Sequence, residues 1–306
     1  MALITTAAVA AMHTSLSLQY QSGYDATRVF WQDIATQIPS STTSNTYSWM
    51  QQLDQMRQWV GPRVIRDMAN SSFTLTNLPF ELTLGVDRHD WEDENTGTYG
   101  PRAASMGQAA AKLPDQRLAL AIAAGQTIPG TGTSYDGVSF FNLNHTINPA
   151  GVQSNVNALG LTAANYETAR AAMMSLTGET GQSLGVTPNL LVVNPSLEGI
   201  GKRILEADII ADAVVATAGT TNVNKGTAKL LVVPELSVIS ATCWFLLDTT
   251  KPIKPFIWQL RQAPVFAQMT DPSDFVSFML RQFIWGVEAR GAAGYGPWWL
   301  AYQGNV

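Results

Sequence analysis

Phe80-Glu-Leu-Thr-Leu-Gly-Val-Asp-Arg-His-Asp-Trp-Glu-Asp-Glu94, with Gly100-Pro101 and a run of small residues from Ala103 to Ala124 behind it, decides the fold. Residues 80–86 alternate apolar with polar or small side chains, the pattern of a strand. Five carboxylates then fall within residues 87–94. They lie upstream of Pro101, a residue suited to the first turn of a helix, where the positive end of the helix dipole favours acids. The small-residue run predicts a helix closing at Gly125, a rod of roughly 37 Å at 1.5 Å per residue. Pro114 predicts a kink or break at Leu113, since proline removes one helical N–H.

Upstream, residues 1–45 read as an extended arm with one short helix near Ser15–Tyr24, closed by the polar run Pro39-Ser-Ser-Thr-Thr-Ser-Asn45. Residues 46–93 read as an extended loop. Its ends, Tyr47-Ser-Trp49 and Phe80–Val86, are strand-like, and the stretch between them is too long for a tight hairpin. Downstream, residues 94–144 hold the long helix and residues 145–255 read as a mixed α/β unit. Thr162–Leu176 has Tyr166, Ala169, Met173 and Leu176 on one helical stripe. Asn189–Val193, Lys229–Val233 and Cys243–Leu247 are apolar enough for strands buried on both faces. Asn194-Pro195 predicts the start of a helix running to about Asp208. Val215–Thr227 reads as a Gly/Thr/Asn-rich loop, and residues 256–306 as mostly β. The class is α+β.

Only 13% of the 306 residues are charged, about half the usual fraction, although 46% are hydrophobic. A solitary globule wets its surface with charge, so much of this surface is expected to meet protein. Nine tryptophans point the same way. A net charge of −5 with no dense basic block argues against a dedicated nucleic-acid reader. The single Cys243 rules out an internal disulfide and fits a reducing compartment. No apolar run approaches the ~20 residues of a membrane span, and the N-terminal Ala-rich run lacks the cations of a signal peptide. A chain made and used in a cytoplasm is expected.

Catalytic parts are scarce. Gly181-Gln-Ser183-Leu-Gly185 matches the G-x-S-x-G nucleophile elbow, but a helix precedes it and a strand follows, the reverse of what an elbow needs. His13, His89 and His145 all lie earlier in the chain, so a Gly-rich turn is the better reading of Ser183. The acidic run 87–94 has the charge for Ca²⁺ or Mg²⁺ without the alternating spacing and central glycine of a calcium loop. It reads instead as a solvated turn or half of an intersubunit salt bridge. No cofactor or metal is expected.

Several motifs, in order, resemble the major head subunit of phage Mu and Mu-like prophages. They are Ser44–Trp49, Gln58-Trp-Val-Gly-Pro-Arg63, Phe80–Pro101, Met106-Gly-Gln-Ala-Ala-Ala, Leu113-Pro-Asp115, Tyr135–Phe141 with His145 behind it, and Trp285–Gly296. The weakest stretch is about 205–255. The resemblance implies the HK97-like capsid fold. Its parts would be an N-terminal arm (1–45), an extended loop (46–93), a peripheral domain with a spine helix (94–144), an axial domain (145–255) and return strands of the peripheral domain (256–306). It implies self-assembly into hexamers and pentamers of a closed icosahedral head around double-stranded DNA, touched non-specifically on the inner face. Portal and scaffold or decoration proteins are the further partners, with no membrane, and the destination is the virion after assembly in host cytoplasm.

On the same resemblance, Trp49, Trp59 and Arg63 become intersubunit contacts of the extended loop. Asp87, Arg88, Asp90 and Asp93 form a polar hinge between loop and spine, Arg290 is a salt-bridge partner, and loop 215–227 lies near the capsomer axis. Some capsids of this fold are stapled by an isopeptide bond from a loop lysine to an asparagine of a neighbour. No lysine lies between Asn45 and Glu94, so a non-covalent shell is expected. The alternatives are an encapsulin-type compartment around enzyme cargo, opposed by the Mu-specific motifs, and a hydrolase using Ser183, opposed by the inverted context.

Overall fold

A computed structural model describes residues 6–47, 73–92, 97–126, 132–147, 151–178, 181–211, 219–238, 240–271 and 275–304. The long helix runs Tyr99–Ala124, continuous through Pro114, and closes at Gly125 in right-handed geometry. Its buried residues recur at helical spacing: Ala103, Met106, Ala111, Asp115, Leu118 and Ile122. A second helix, Thr6–Ala26, packs along it. The helices come close enough that a Cβ on Gly107 would stand 2.1 Å from the Tyr20 carbonyl oxygen, and one on Gly23 equally close to that of Ala104. Within the N-terminal segment the helix therefore spans Thr6–Ala26, longer than the short helix expected near Ser15–Tyr24. Small residues on both sides make the packing possible.

Both helices cover one face of a four-stranded sheet. Its order is Ala35–Pro39, Phe256–Met269, Gln282–Tyr295, Leu78–Asp87, with the first pair parallel and the others antiparallel. Along Gln282–Tyr295, Phe283, Trp285, Val287 and Ala289 are buried and the residues between them are not. Trp285 and Phe283 meet Val9, Leu16, Val86 and Ala103. Each such large apolar side chain contributes about 1.5–3 kcal/mol when removed from water.

The second sheet is mixed: Lys229–Val232, Leu190–Val193, Trp244–Leu247, Ala301–Gly304, Val156–Asn157. Its central strands are buried on both faces, as their unbroken apolar runs predict. One face packs on helix Ala163–Met174, whose Tyr166, Ala169 and Met173 are buried as read, and on helix Glu198–Leu205. The other face joins Phe140, Phe141 and Trp298 to Leu118, Ile122, Phe256 and Tyr295 of the first layer, so one core runs through both sheets.

Four further local readings change. The strand paired across the extended loop's base is Phe73–Thr76, opposite Ser44–Tyr47, whereas Leu78–Asp87 enters the large sheet. Within 215–227, Gly219–Thr221 pairs with Ile209–Ala211. Asn222 is buried there, its amide donating to the Arg203, Ile204 and Ala207 carbonyls at the end of the preceding helix. Phe275–Leu280, read as strand, is a short helix at the tip of the long hairpin. Finally, Ala301–Gly304 leaves the first sheet for the second.

Candidate assembly surfaces

The corner after Leu78–Asp87 is built by Asp87. Its carboxylate accepts the His89 N–H at 2.8 Å, capping the short helix Arg88–Glu92. The Arg88 N–H donates to the Arg281 carbonyl at 2.8 Å, and the Arg281 guanidinium lies 4.0 Å from Asp87. Arg281 has φ +54°, a left-handed backbone that costs a residue with a Cβ roughly 1–2 kcal/mol. The Arg88 bond and the Asp87 pair hold it there. Of the polar corner read from sequence, Asp87, Arg88 and Asp90 stand together, Arg88 and Asp90 exposed. Arg281 joins them without any local signal, because its conformation is set by the hairpin's return. Trp49, Trp59, Arg63 and Asp93 lie outside the described residues. Arg290 lies on the same sheet, in register with Pro79 and Gln262.

The loop's base is fixed by a buried polar network. The Tyr47 hydroxyl donates to Gln259 Oε1 at 2.6 Å, and the Gln259 amide donates to Leu75 O and to Asn77 Oδ1. The Asn77 amide in turn donates to Ser40 Oγ and Thr42 O, both at 2.9 Å. A fully satisfied network of this kind specifies one arrangement, so the loop leaves the sheet from a rigid foot.

A third polar contact ties the long helix to the start of the short helix Trp31–Ile34. Asp115, 1% exposed, accepts the backbone N–H groups of Phe30 and Trp31 at the elbow where the chain turns into Ala35–Pro39. Burial pushes its carboxyl up to about 6, against the lowering effect of those two N–H groups; Glu235 raises it further and Lys112 lowers it.

The possible catalytic groups are used structurally. His145 is fully buried, with Nδ1 2.5 Å from Asp136 Oδ2 and its ring stacked on Trp298 at 4.0 Å. That is half of a hydrolase triad, but Nε2, which would face a nucleophile, stands 3.2 Å from Phe140 O and 3.2 Å from Asn155 Oδ1. Ser183 sits between Gly181 and Gly185, both at positive φ, and bridges to Thr177. Its hydroxyl accepts the Gly185 N–H at 3.2 Å, as in a tight turn. A cleft of ≈610 Å³ lies between Phe73–Leu78 and the end of the long helix, and the charged group lining it is Arg117. Among the described residues no group of His, Cys, Asp and Glu is arranged to hold a metal, and no helix is long and apolar enough to cross a membrane.

The organisation is that of a tile: two sheets in one core, a rigidly footed loop, and no assembled chemistry among the described residues. The family model for the Mu-like prophage major head subunit gpT matches residues 9–160, 156–236 and 237–305. The chain belongs to that family. It is 27% identical over 299 residues to the major capsid protein of Escherichia phage Mu, covering 98% of this chain and 74% of that one. The Mu-like prophage FluMu major head subunit of Haemophilus influenzae is 26% identical over 302 residues, covering 99% and 74%. Among solved structures, the subunit in the procapsid of bacteriophage JBD30 superposes with a TM-score of 0.59 at 30% identity, over 98% of this chain and 75% of that one. A virus-like particle from Pyrococcus furiosus shares the fold at 13% identity and TM-score 0.50. This head subunit is thus a structural protein of the virion with the HK97-like capsid fold, and not an enzyme.

Proposed function

We propose that this head subunit closes into an icosahedral shell of hexamers and pentamers around double-stranded DNA, assembling in the host cytoplasm. The observation that carries this reading is the hairpin tip. Phe275 is 73% exposed, Met279 59% and Leu280 57%, a concentration of apolar surface that a lone subunit leaves in water and a packed shell covers. The scarcity of charge supports the same reading. Residues 1–45 then serve as arm and 46–93 as extended loop, its returning strand Leu78–Asp87 built into the large sheet; 94–144 and 256–300 form the peripheral domain, and 145–255 the axial domain, joined by Ala301–Gly304. Trp49, Trp59 and Arg63 contact the neighbour, Asp87, Arg88, Asp90 and Asp93 form the hinge, and Arg290 takes an ion pair across subunits. Segment 215–227 lies at the capsomer axis. Portal, scaffold or decoration proteins complete the head, and DNA meets the inner face without base readout.

Electron microscopy and sedimentation of the purified chain test this. Capsomers or shells are the expected result; a 33 kDa species alone across a wide concentration range would overturn it.

A further inference from the structure

The helices cover one face of the four-stranded sheet; on the other, the pair Ser44–Tyr47 and Phe73–Thr76 packs over the end around Ile257 and Gly294, and among the described residues nothing covers the rest. On that face Val265 and Met269 are 51% and 46% exposed, and Ile284 is half-buried beside them. Its centre is flat, with Gly286 paired to Thr83 and Gly85 paired to Ile284. A Cβ on Gly286 would meet nothing closer than 3.7 Å, and one on Gly85 nothing closer than 3.5 Å. Nothing inside the subunit therefore demands glycine at either place, although glycine weakens a strand interior by roughly 0.5–1 kcal/mol. Bare backbone in mid-strand suits a surface that another chain approaches closely.

The charges on the same face are also incomplete. Glu81 stands directly opposite Glu288 across the two strands, an unfavourable pairing of like charges. Thr83 Oγ1 donates to Glu81 at 2.7 Å, but among the described residues no cation pairs with either carboxylate. Arg290 lies two residues beyond Glu288 on that face and has no ion pair of its own among the described residues. The face thus carries both signs, unsatisfied within one subunit and complementary between two.

We propose that this uncovered sheet face, centred on Gly85 and Gly286, is a docking surface for a second copy of the chain, which supplies a cation to Glu81 and Glu288. The inference rests on the shell reading and names one of its contacts.

The intact chain carrying Val265→Cys reports on the face directly, since the native Cys243 is buried. Maleimide labelling at that position should slow at least tenfold in concentrated protein, whether association closes a shell or stops at a dimer. Gly286→Val should leave thermal melting of the subunit unchanged or higher while cutting particle yield at least tenfold. Glu288→Arg, which relieves the like-charge pair inside the subunit, should also cut it. Equal labelling at all concentrations, or full particle yield from both variants, would overturn the docking surface. Protection without particles would keep it and remove the shell reading. Should Gly286→Val fail to fold, the labelling result decides.

Discussion

The Tyr20 carbonyl oxygen occupies the space where Gly107 would carry a Cβ, only 2.1 Å from it. Gly107→Ala must therefore push two packed helices apart, at a cost of about 1–3 kcal/mol. Gly199 in helix Glu198–Leu205 has nothing within 4 Å of its Cβ position. There the same substitution should stabilise by about 0.5–1 kcal/mol, since alanine is the better helix former. Thermal melts of the two variants should shift in opposite directions.

Asp115 gives a pH dependence of definite sign. Its folded value of about 6 lies above the 3.8 of an unperturbed aspartate, so ionisation favours the unfolded chain. Its contribution is complete below about pH 3.8 and is lost as pH rises through 6, a difference of roughly 3 kcal/mol. The denaturation free energy of the native chain minus that of Asp115→Asn should fall across this window and stay flat above it. Below about pH 3.8, Asp115→Ala, which orphans the Phe30 and Trp31 N–H groups, should cost about 1–3 kcal/mol beyond the loss of the carboxyl's own contribution, and the total cost should shrink as pH rises through 6.

Ser183→Ala should leave folding and particle formation unchanged, because the turn is set by Gly181 and Gly185. The native protein should not react with fluorophosphonate probes. Stoichiometric labelling at Ser183 would contradict the structural role.

The extended loop has Arg57, Arg63, Arg66 and Arg88 but no lysine between Asn45 and Glu94. A guanidinium stays protonated and cannot attack an asparagine amide. Particles boiled in SDS with reductant should run as one band near 33 kDa, and a covalent ladder would disprove a non-covalent shell.

Elements whose cause is local were legible. Helix Ala163–Met174 follows from its apolar stripe, and Asn194 accepts the Leu197 N–H as the Asn194-Pro195 pair predicts. Leu190–Val193 and Trp244–Leu247 follow from unbroken apolar runs. Elements whose cause is distant were not. The N-terminal helix is rich in Ser, Thr and Gln, so its length rests on packing against small residues some eighty positions away. Phe275–Leu280 is aromatic and apolar enough for a strand, yet it lies where the hairpin reverses. At the corner, the acids ahead of the long helix were readable, and Asp87 caps a different, shorter one. Arg281 was invisible because a left-handed arginine has no sequence signature. The outer sheet face needed the register, since Glu81 and Glu288 are remote until the strands pair.

The pairing of Tyr47 with Gln259 spans 212 residues. Ribosomes add roughly 5–20 residues per second, so the N-terminal half waits roughly 10–40 s for the strands that complete its sheet. Until Gln282–Tyr295 emerges, Leu78–Asp87 lacks its neighbour, and until Ala301–Gly304 emerges the second sheet is open. A nascent chain thus holds no finished surface to offer another copy. A chain cut short before Ala301 cannot complete the second sheet, and one cut before Gln282 completes neither, so translation itself screens the building blocks.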